Sequence, residues 1–529
     1  MIHATFSDLS YASSVESGRV DRSSINPRPW SSSSVLVILI VADLMPNSRS
    51  RMMVPGPRSY KTFFHIKLMI RSTIRQRLRV FVRSVGLLGM VAIVSGSEAR
   101  AEGPRPGEAR ALRAKILDGI SRELTEHWYP AAIDREHGGF RQNMARDWSL
   151  RPDSDKFIVY QARMTWTASA FALESPERRD EFIGHARWGV ECLDRTLRDR
   201  EFGGFHWSVG LDGRVAPKLG TEKHVYGTAF VLYAASKAYE ATHDPRALQV
   251  ARDAFEWLET KAHDPKDGGY FEALTREGLP IIAWDAARPI SERTDRIGIY
   301  YGFKTMNSHI HLLEAIAEFY RVEPTPPVRT RLEEMLAIVR DKIAAKPGAL
   351  NLYLSADWHP APAHDSFGHD VETAYLLVEA AEALGRPDDP ATWAVARSLV
   401  DHALDWGWDA KDGGFYDKGD VFNGKPHDTT KVWWTQAEGL NALLVFHHRY
   451  GRETDRYWDA FRLQWEFIDR HLIDPVHGGW FYETTIDGAL IGDGSKSSPW
   501  KANYHTGRAM LNVAKLLGEV DKAEPIKAP

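Results

Sequence analysis

The chain has 529 residues, 43% of them hydrophobic, with 67 basic against 71 acidic residues for a net charge of −4. The charges are spread along the chain rather than gathered in blocks, which excludes the electrostatic footprint of a nucleic-acid-binding protein. The single cysteine, Cys192, excludes an intramolecular disulfide and a cysteine-rich metal site.

The first hundred residues differ from the rest. Residues 69–101 read MIRSTIRQRLRVFVRSVGLLGMVAIVSGSEARA: arginines, an apolar stretch from Val85 to Val94, then Ala99-Arg100-Ala101 as a small-x-small cleavage site. That order predicts a secretory signal peptide. Its apolar stretch is ten residues, whereas a membrane-spanning helix needs about 20. The expectation is therefore a secreted or periplasmic protein with no membrane attachment after cleavage. Residues 1–68 are rich in Ser, Arg and Pro and carry a short apolar run, SVLVILIVADLM. A signal peptide preceded by 68 residues is mechanically odd, so Met69 is read as the true start, the alternative being a disordered leader. Residues 102–529 are then expected to form one domain.

From there a short phrase recurs: DREHGGF at Asp134–Phe140, DREFGGF at Asp199–Phe205, DPKDGGY at Asp264–Tyr270, DAKDGGF at Asp409–Phe415 and DPVHGGW at Asp474–Trp480. Each predicts a tight turn in which paired glycines supply positive φ, and the aromatic begins a short extended stretch. The first three phrases are 65 residues apart, as are the last two. The wider gap holds one degenerate copy, Lys346 to Tyr353, which makes six units. Between turns, apolar residues recur at helical spacing, as from Phe230 to Asp264, where the DPR at Asp244–Arg246 divides two helices. Two helices per long repeat mark a solenoid or toroid. Six such pairs predict an all-α, (α/α)6 barrel with short hairpin-like segments at one rim, an open superhelix being the alternative. The segment Ile281–Gly302 is expected to form a rim loop that shapes the entrance.

In such a barrel the inner helices converge on a central cleft, and polar residues inside their apolar runs mark the chemistry, because burial without purpose is costly. Arg163 in QARMTWTAS needs an acceptor; a sugar oxygen becoming an enediolate is one, a structural carboxylate the other. In Lys304–Ala315, Asn307, His311 and Glu314 share a face. His309 and His311 point about 200° apart on a helix and cannot chelate one ion. In Ser366–Tyr375, His369 and Glu372 lie one turn apart, so the carboxylate can hold the imidazole and raise its proton affinity. Trp434 and Glu438 offer a ring and a carboxylate one turn apart, and Trp500, His505 and Arg508 crowd the start of the last inner helix. The 18 Trp and 18 Tyr belong mostly to the core, but some are suited to stacking on sugar faces.

In order, the Arg163 segment, KHVY at Lys223–Tyr226, MNSHIHLLEA, FGHDVE, WWTQAE and PWKANYHTGRA resemble the N-acylglucosamine 2-epimerase family, most closely its cellobiose 2-epimerase branch, from about 108 to 518. The resemblance implies a sugar 2-epimerase acting at the reducing-end aldose of a β-1,4-disaccharide such as cellobiose. In it the histidines matching His369 and His505 face opposite sides of C2 and exchange its proton through a cis-enediolate. It further implies that Arg163 stabilises the oxyanion, Glu372 orients His369, and Asn307 and His311 bind hydroxyls and assist ring opening. Trp434 and Trp500 would stack on the sugar, with Glu438, Tyr226, Glu314, Tyr375 and Arg508 completing the binding set. Tyr375 departs from the branch, which often carries tryptophan there, a change that alters the grip on the sugar. Proton return to C1 instead would give a ketose, so a mannose-type aldose–ketose isomerase or N-acylglucosamine 2-epimerase shares the site. No metal and no cofactor are called for. The partner is a small sugar, with no nucleic acid, and the chain acts as a monomer or homodimer. Competing readings are an (α/α)6 glycoside hydrolase using Asp370, Glu372 and Glu438 as carboxylates, and a sugar-binding barrel without chemistry.

Overall fold

Five of the six repeats turn at an Asp-x-x-x-Gly-Gly phrase, the aspartate amide donating each time to the carbonyl of the second glycine. In the first copy the Asp134 amide donates to the Gly139 carbonyl (3.0 Å) and the Gly138 amide donates back to the Asp134 carbonyl (3.0 Å). The Asp134 carboxylate accepts from the amides of Glu136 and His137. Gly138 and Gly139 have φ of 78° and 65°, a region that a Cβ makes costly. A Cβ on Gly139 would also lie 2.5 Å from both Cys192 Sγ and Gln161 Oε1. A β-bridge spans the turn from Ile133 to Phe140 and recurs at Arg198–Phe205, His263–Tyr270, Trp408–Phe415 and Ile473–Trp480. The degenerate copy keeps it as Ala344–Leu350.

The computed structural model describes residues 107–520, apart from 216–219, 284–288, 290–291, 347 and 422. The expected leader and signal peptide, 1–68 and 69–101, lie outside the described residues, which fall within the unit Ala101–Pro529. They form twelve helices of 12 to 18 residues: α1 (Glu108–Arg122), α2 (Ile158–Glu174), α3 (Arg179–Cys192), α4 (Val225–Thr242), α5 (Pro245–Trp257), α6 (Met306–Val322), α7 (Pro326–Ile338), α8 (Phe367–Ala383), α9 (Pro390–Trp406), α10 (Trp433–Tyr450), α11 (Arg456–Phe467) and α12 (Tyr504–Val520). None of them is long and apolar enough to cross a membrane.

Even-numbered helices are inner. Helix α2 is buried continuously from Ile158 to Ala172, and its hydroxyls bond back to its own carbonyls, Thr165 to Gln161 and Ser169 to Thr165, both at 2.7 Å. The outer α5 buries one stripe only, Ala247, Val250, Ala251, Ala254 and Trp257. Proline at the first turn starts α5, α7 and α9, and the carboxylates of Asp244 and Asp389 cap α5 and α9. Around the ring α2 packs on α4, α4 on α6, α6 on α8, α8 on α10, α10 on α12, and α12 returns to α2, with α1 as the outer partner of α12. The barrel is closed.

A strand layer repeats the closure. The strand entering each inner helix pairs antiparallel with the strand after the next turn: Asp155–Phe157 with Ser208–Gly210, Lys223–His224 with Ala273–Leu274, Phe303–Thr305 with Tyr353–Ser355, Asp365–Ser366 with Lys418–Gly419, and Lys431–Val432 with Glu483–Thr484. The sixth step is the bridge from Met144 to Ser497, which joins last unit to first. Within these junctions a buried lysine grips each turn aspartate: Lys156 with Asp134 (2.6 Å), Lys223 with Asp199 (3.0 Å), Lys304 with Asp264 (2.7 Å), Lys431 with Asp409 (2.8 Å) and Lys496 with Asp474 (2.8 Å). In the degenerate unit both partners change. Asp365 stands where the lysine would be, two residues before the inner helix, and bonds His402 Nε2 at 2.7 Å.

Candidate active site

All six inner helices leave the strand layer in the same direction, so their first turns meet at one end of the barrel. The singled-out residues lie there. His505 begins α12 and its Nδ1 bonds the Glu438 carboxylate on α10 at 2.5 Å. His369, in the first turn of α8, bonds through Nδ1 to the Ser366 hydroxyl just before that helix, at 2.7 Å. The half-buried Trp434 ring lies against both imidazoles, with centroids 4.7 Å from His369 and 5.8 Å from His505. Burial lowers the proton affinity of both, His369 to about 3 and His505 to about 4, the latter against the pull of Glu438. Both rings are therefore neutral bases at neutral pH.

Beneath them Arg508, 2% exposed, sits among three carboxylates. Its Nη1 donates to Glu314 (2.5 Å) and its Nη2 to Glu438 (2.7 Å) and to Glu372. Burial and mutual repulsion raise Glu372 to about 8, and burial raises Glu314 to about 7. Glu438 resists burial through Arg508, His505 and Tyr375 and stays ionised, at about 2. Glu314 also accepts from the Tyr504 hydroxyl (2.9 Å) and holds His311 Nδ1 (2.6 Å). Burial pushes the His311 imidazole well below its ordinary value.

Arg163 on α2 is different in kind. Its Nη1 donates to the Trp500 carbonyl (3.0 Å) and its Nη2 to the Tyr226 hydroxyl (3.1 Å), while its face covers Phe230, 4.6 Å from the ring centroid. Its Nε has no hydrogen-bond partner, and the acceptors of its other nitrogens are a carbonyl and a phenol. A buried guanidinium held only by neutral groups keeps its charge for something else. Trp500, Trp207 and Tyr226 form one wall, Trp500 lying 6.2 and 6.3 Å from the other two rings. Asn307 is half-buried with its Oδ1 unpartnered.

Three sequence-based expectations need correction. Glu372 does not hold His369: one turn of helix separates them, but Glu372 turns inward to Arg508, and Ser366 takes its place. Glu438, Glu314 and Arg508 satisfy one another and are buried, so they organise the site from behind instead of gripping hydroxyls. Tyr375 likewise donates to Glu438. His309, which the helical spacing already turns away from His311, lies off the cleft, accepting from the Tyr270 amide (3.1 Å) and donating to the Thr305 carbonyl (2.7 Å). Sequence reasoning passed over Ser366 and Tyr504, although both stand inside the quoted motifs. It also missed Asp295, in the rim segment, which bonds His224 Nε2 at 3.1 Å just before α4.

Two groups could hold a metal by proximity. Glu372, Glu438 and His505 already have the Arg508 guanidinium between the two carboxylates. Asp365, Asp370 and His402 form the other, beneath the start of α8. There burial and the Asp365 charge raise the Asp370 carboxyl well above its ordinary value.

Two imidazoles against a tryptophan, with an arginine held by neutral groups, lie at one end of a closed helical barrel. Comparison with known proteins specifies the class: a carbohydrate isomerase acting on a small sugar. The family model of N-acylglucosamine 2-epimerase (GlcNAc 2-epimerase) matches residues 138–509, and the chain belongs to that family. A cellobiose 2-epimerase of Bacteroides fragilis is 32% identical over 415 residues, covering 77% of this chain and 99% of its own. A D-mannose isomerase of Marinomonas mediterranea is 25% identical, covering 76% and 97%. The solved cellobiose 2-epimerase of Spirochaeta thermophila superposes with a TM-score of 0.66 at 30% identity, covering 78% of this chain and 98% of that one.

Proposed function

We propose that this enzyme inverts C2 of the reducing-end aldose of a β-1,4-disaccharide such as cellobiose, giving the glucosyl-mannose epimer. The observation that carries this is the pair His369 and His505 flanking Trp434, each fixed through Nδ1 with its other ring nitrogen left for a proton. With the open-chain sugar on Trp434, one imidazole takes the C2 proton. The C2–H electron pair becomes the C1=C2 bond, and O1 gains the negative charge of a cis-enediolate beside Arg163. That charge raises the proton affinity of the facing imidazole, which takes a proton from water and delivers it to the opposite face of C2 as the O1 electron pair re-forms the C1 carbonyl, and the first imidazole gives its proton back to water. The relatives named cellobiose 2-epimerase support this substrate. Those named D-mannose isomerase support a second reading in which the proton returns to C1 and the product is a ketose.

Proton NMR in D2O with cellobiose, mannose and N-acetylglucosamine tests it. Deuterium at C2 of cellobiose with a mannose-type reducing end is the expected result. Ketose from mannose alone moves the assignment to the second reading, glucose released from cellobiose makes the enzyme a hydrolase, and no exchange with any of the three overturns both assignments. We also propose export through residues 69–101. Expression in a Gram-negative host should yield periplasmic protein beginning at Glu102; retention of the segment on cytoplasmic protein would refute it.

A further inference from the structure

Tyr375 lies under the carboxylate against which His505 leans. We propose that Tyr375 is a positioning residue for proton transfer, setting through Glu438 the orientation and basicity of His505. This rests on the reading of His505 as a proton-transfer group at C2.

Glu438 is fully buried, so each of its oxygens needs donors from the protein. Oε1 takes two, His505 Nδ1 at 2.5 Å and Arg508 Nη2 at 2.7 Å. Oε2 takes the phenol of Tyr375. Tyr375 is itself fixed, 1% exposed, with the Arg508 guanidinium 5.4 Å from its ring centroid. The hydroxyl therefore has one acceptor and the carboxylate oxygen one donor, a relay of phenol, carboxylate and imidazole across α8, α10 and α12.

A donor on Oε2 draws charge away from Oε1, so His505 feels less of it. When that donor is removed, Glu438 stays ionised, because Arg508 and His505 still hold it. Its full charge then bears on Oε1, and the imidazolium form of His505 is favoured. Other charged and titratable groups also face His505: Arg163 from α2, Glu314 from α6, His369 and Glu372 from α8, and Arg508 from its own helix. Loss of one phenol oxygen changes the charge of none of them, so Tyr375→Phe isolates the relay.

The experiment follows the His505 ring by NMR against pH, assigned by the signal missing in His505→Asn, alongside the pH profile of kcat/KM for C2 exchange. In Tyr375→Phe the His505 titration is expected to rise by about one pH unit, and the acid limb of kcat/KM to move with it. In a Glu438→Gln background the same substitution is expected to move nothing further. An unchanged His505 titration in folded Tyr375→Phe overturns the proposal. Should that variant not fold, fluorotyrosine at position 375, a stronger donor, is expected to move the titration downward, and an unmoved titration again overturns it. Wild-type enzyme that exchanges no C2 hydrogen refutes the assigned activity, while the titration still decides the relay.

Discussion

On the proposed mechanism each histidine of the pair serves one face of C2, and a two-base inversion has a signature that a single base does not. Substituting His369 or His505 by Asn is expected to lower epimerisation by roughly 10²–10⁴-fold, the usual worth of a positioned acid or base. The remaining imidazole can still remove and return the proton on its own face. Solvent deuterium should therefore enter C2 of one epimer without inversion in each single variant, and of the opposite epimer in the other. Exchange lost equally from both epimers in both variants would argue for one base and a mobile water. The pH dependence has a definite sign. The base must be neutral and burial holds His505 at about 4 and His369 at about 3, so the acid limb of activity should fall as pH drops toward that range.

At the scale of elements, the lysine that enters an inner helix holds the aspartate of the preceding turn, and both are buried. Removing one partner strands the other, so Lys431→Met is expected to cost about 3–5 kcal/mol in urea unfolding, with part recovered when Asp409→Asn is added. The degenerate unit behaves oppositely with pH. The Asp370 carboxyl is raised above its unfolded value of 3.8 by burial and by Asp365. Its contribution is complete below that value and lost as pH rises through the folded one. Asp370→Asn keeps the uncharged form, so its Tm should gain on wild type as pH rises above the unfolded value of 3.8. A constant difference between the two would refute the raised carboxyl. The turns and helix pairs were legible because Gly-Gly requires positive φ and because apolar spacing of 3.6 has one meaning over long runs. The lysine–aspartate pairs were not, since a lysine ahead of a helix reads as a solvated charge until its unit is folded onto the previous turn. Glu372 failed similarly. Spacing along α8 puts it near His369, but its acceptor is Arg508 on α12, and contacts between helices far apart in sequence leave no periodic trace.

The closed ring gives Arg508 a position that no open superhelix would. It lies on the last inner helix, yet its guanidinium ties Glu314 on α6, Glu372 on α8 and Glu438 on α10, while the first inner helix packs on α12 from the other side. Catalytic geometry and closure therefore depend on the same cation: the carboxylate that fixes His505 is ionised because Arg508 is beside it. Arg508→Met should be among the most destabilising substitutions, by more than about 3 kcal/mol at neutral pH, since it leaves buried carboxylates without a counter-charge. The sign of the pH dependence follows from Glu438, which Arg508, with His505 and Tyr375, depresses against burial from an ordinary 4.5 to about 2. That stabilisation is present above the unfolded value and lost as pH falls through the folded one. The difference between wild type and Arg508→Met should thus be widest near neutrality and shrink below about pH 4, where all three glutamates of the variant are protonated. Urea melts at a series of pH values measure it directly, and a gap that stays constant into acid would mean that Arg508 holds the ring by packing on Tyr375 and Tyr504, 5.4 and 4.5 Å from their centroids, instead of by its charge.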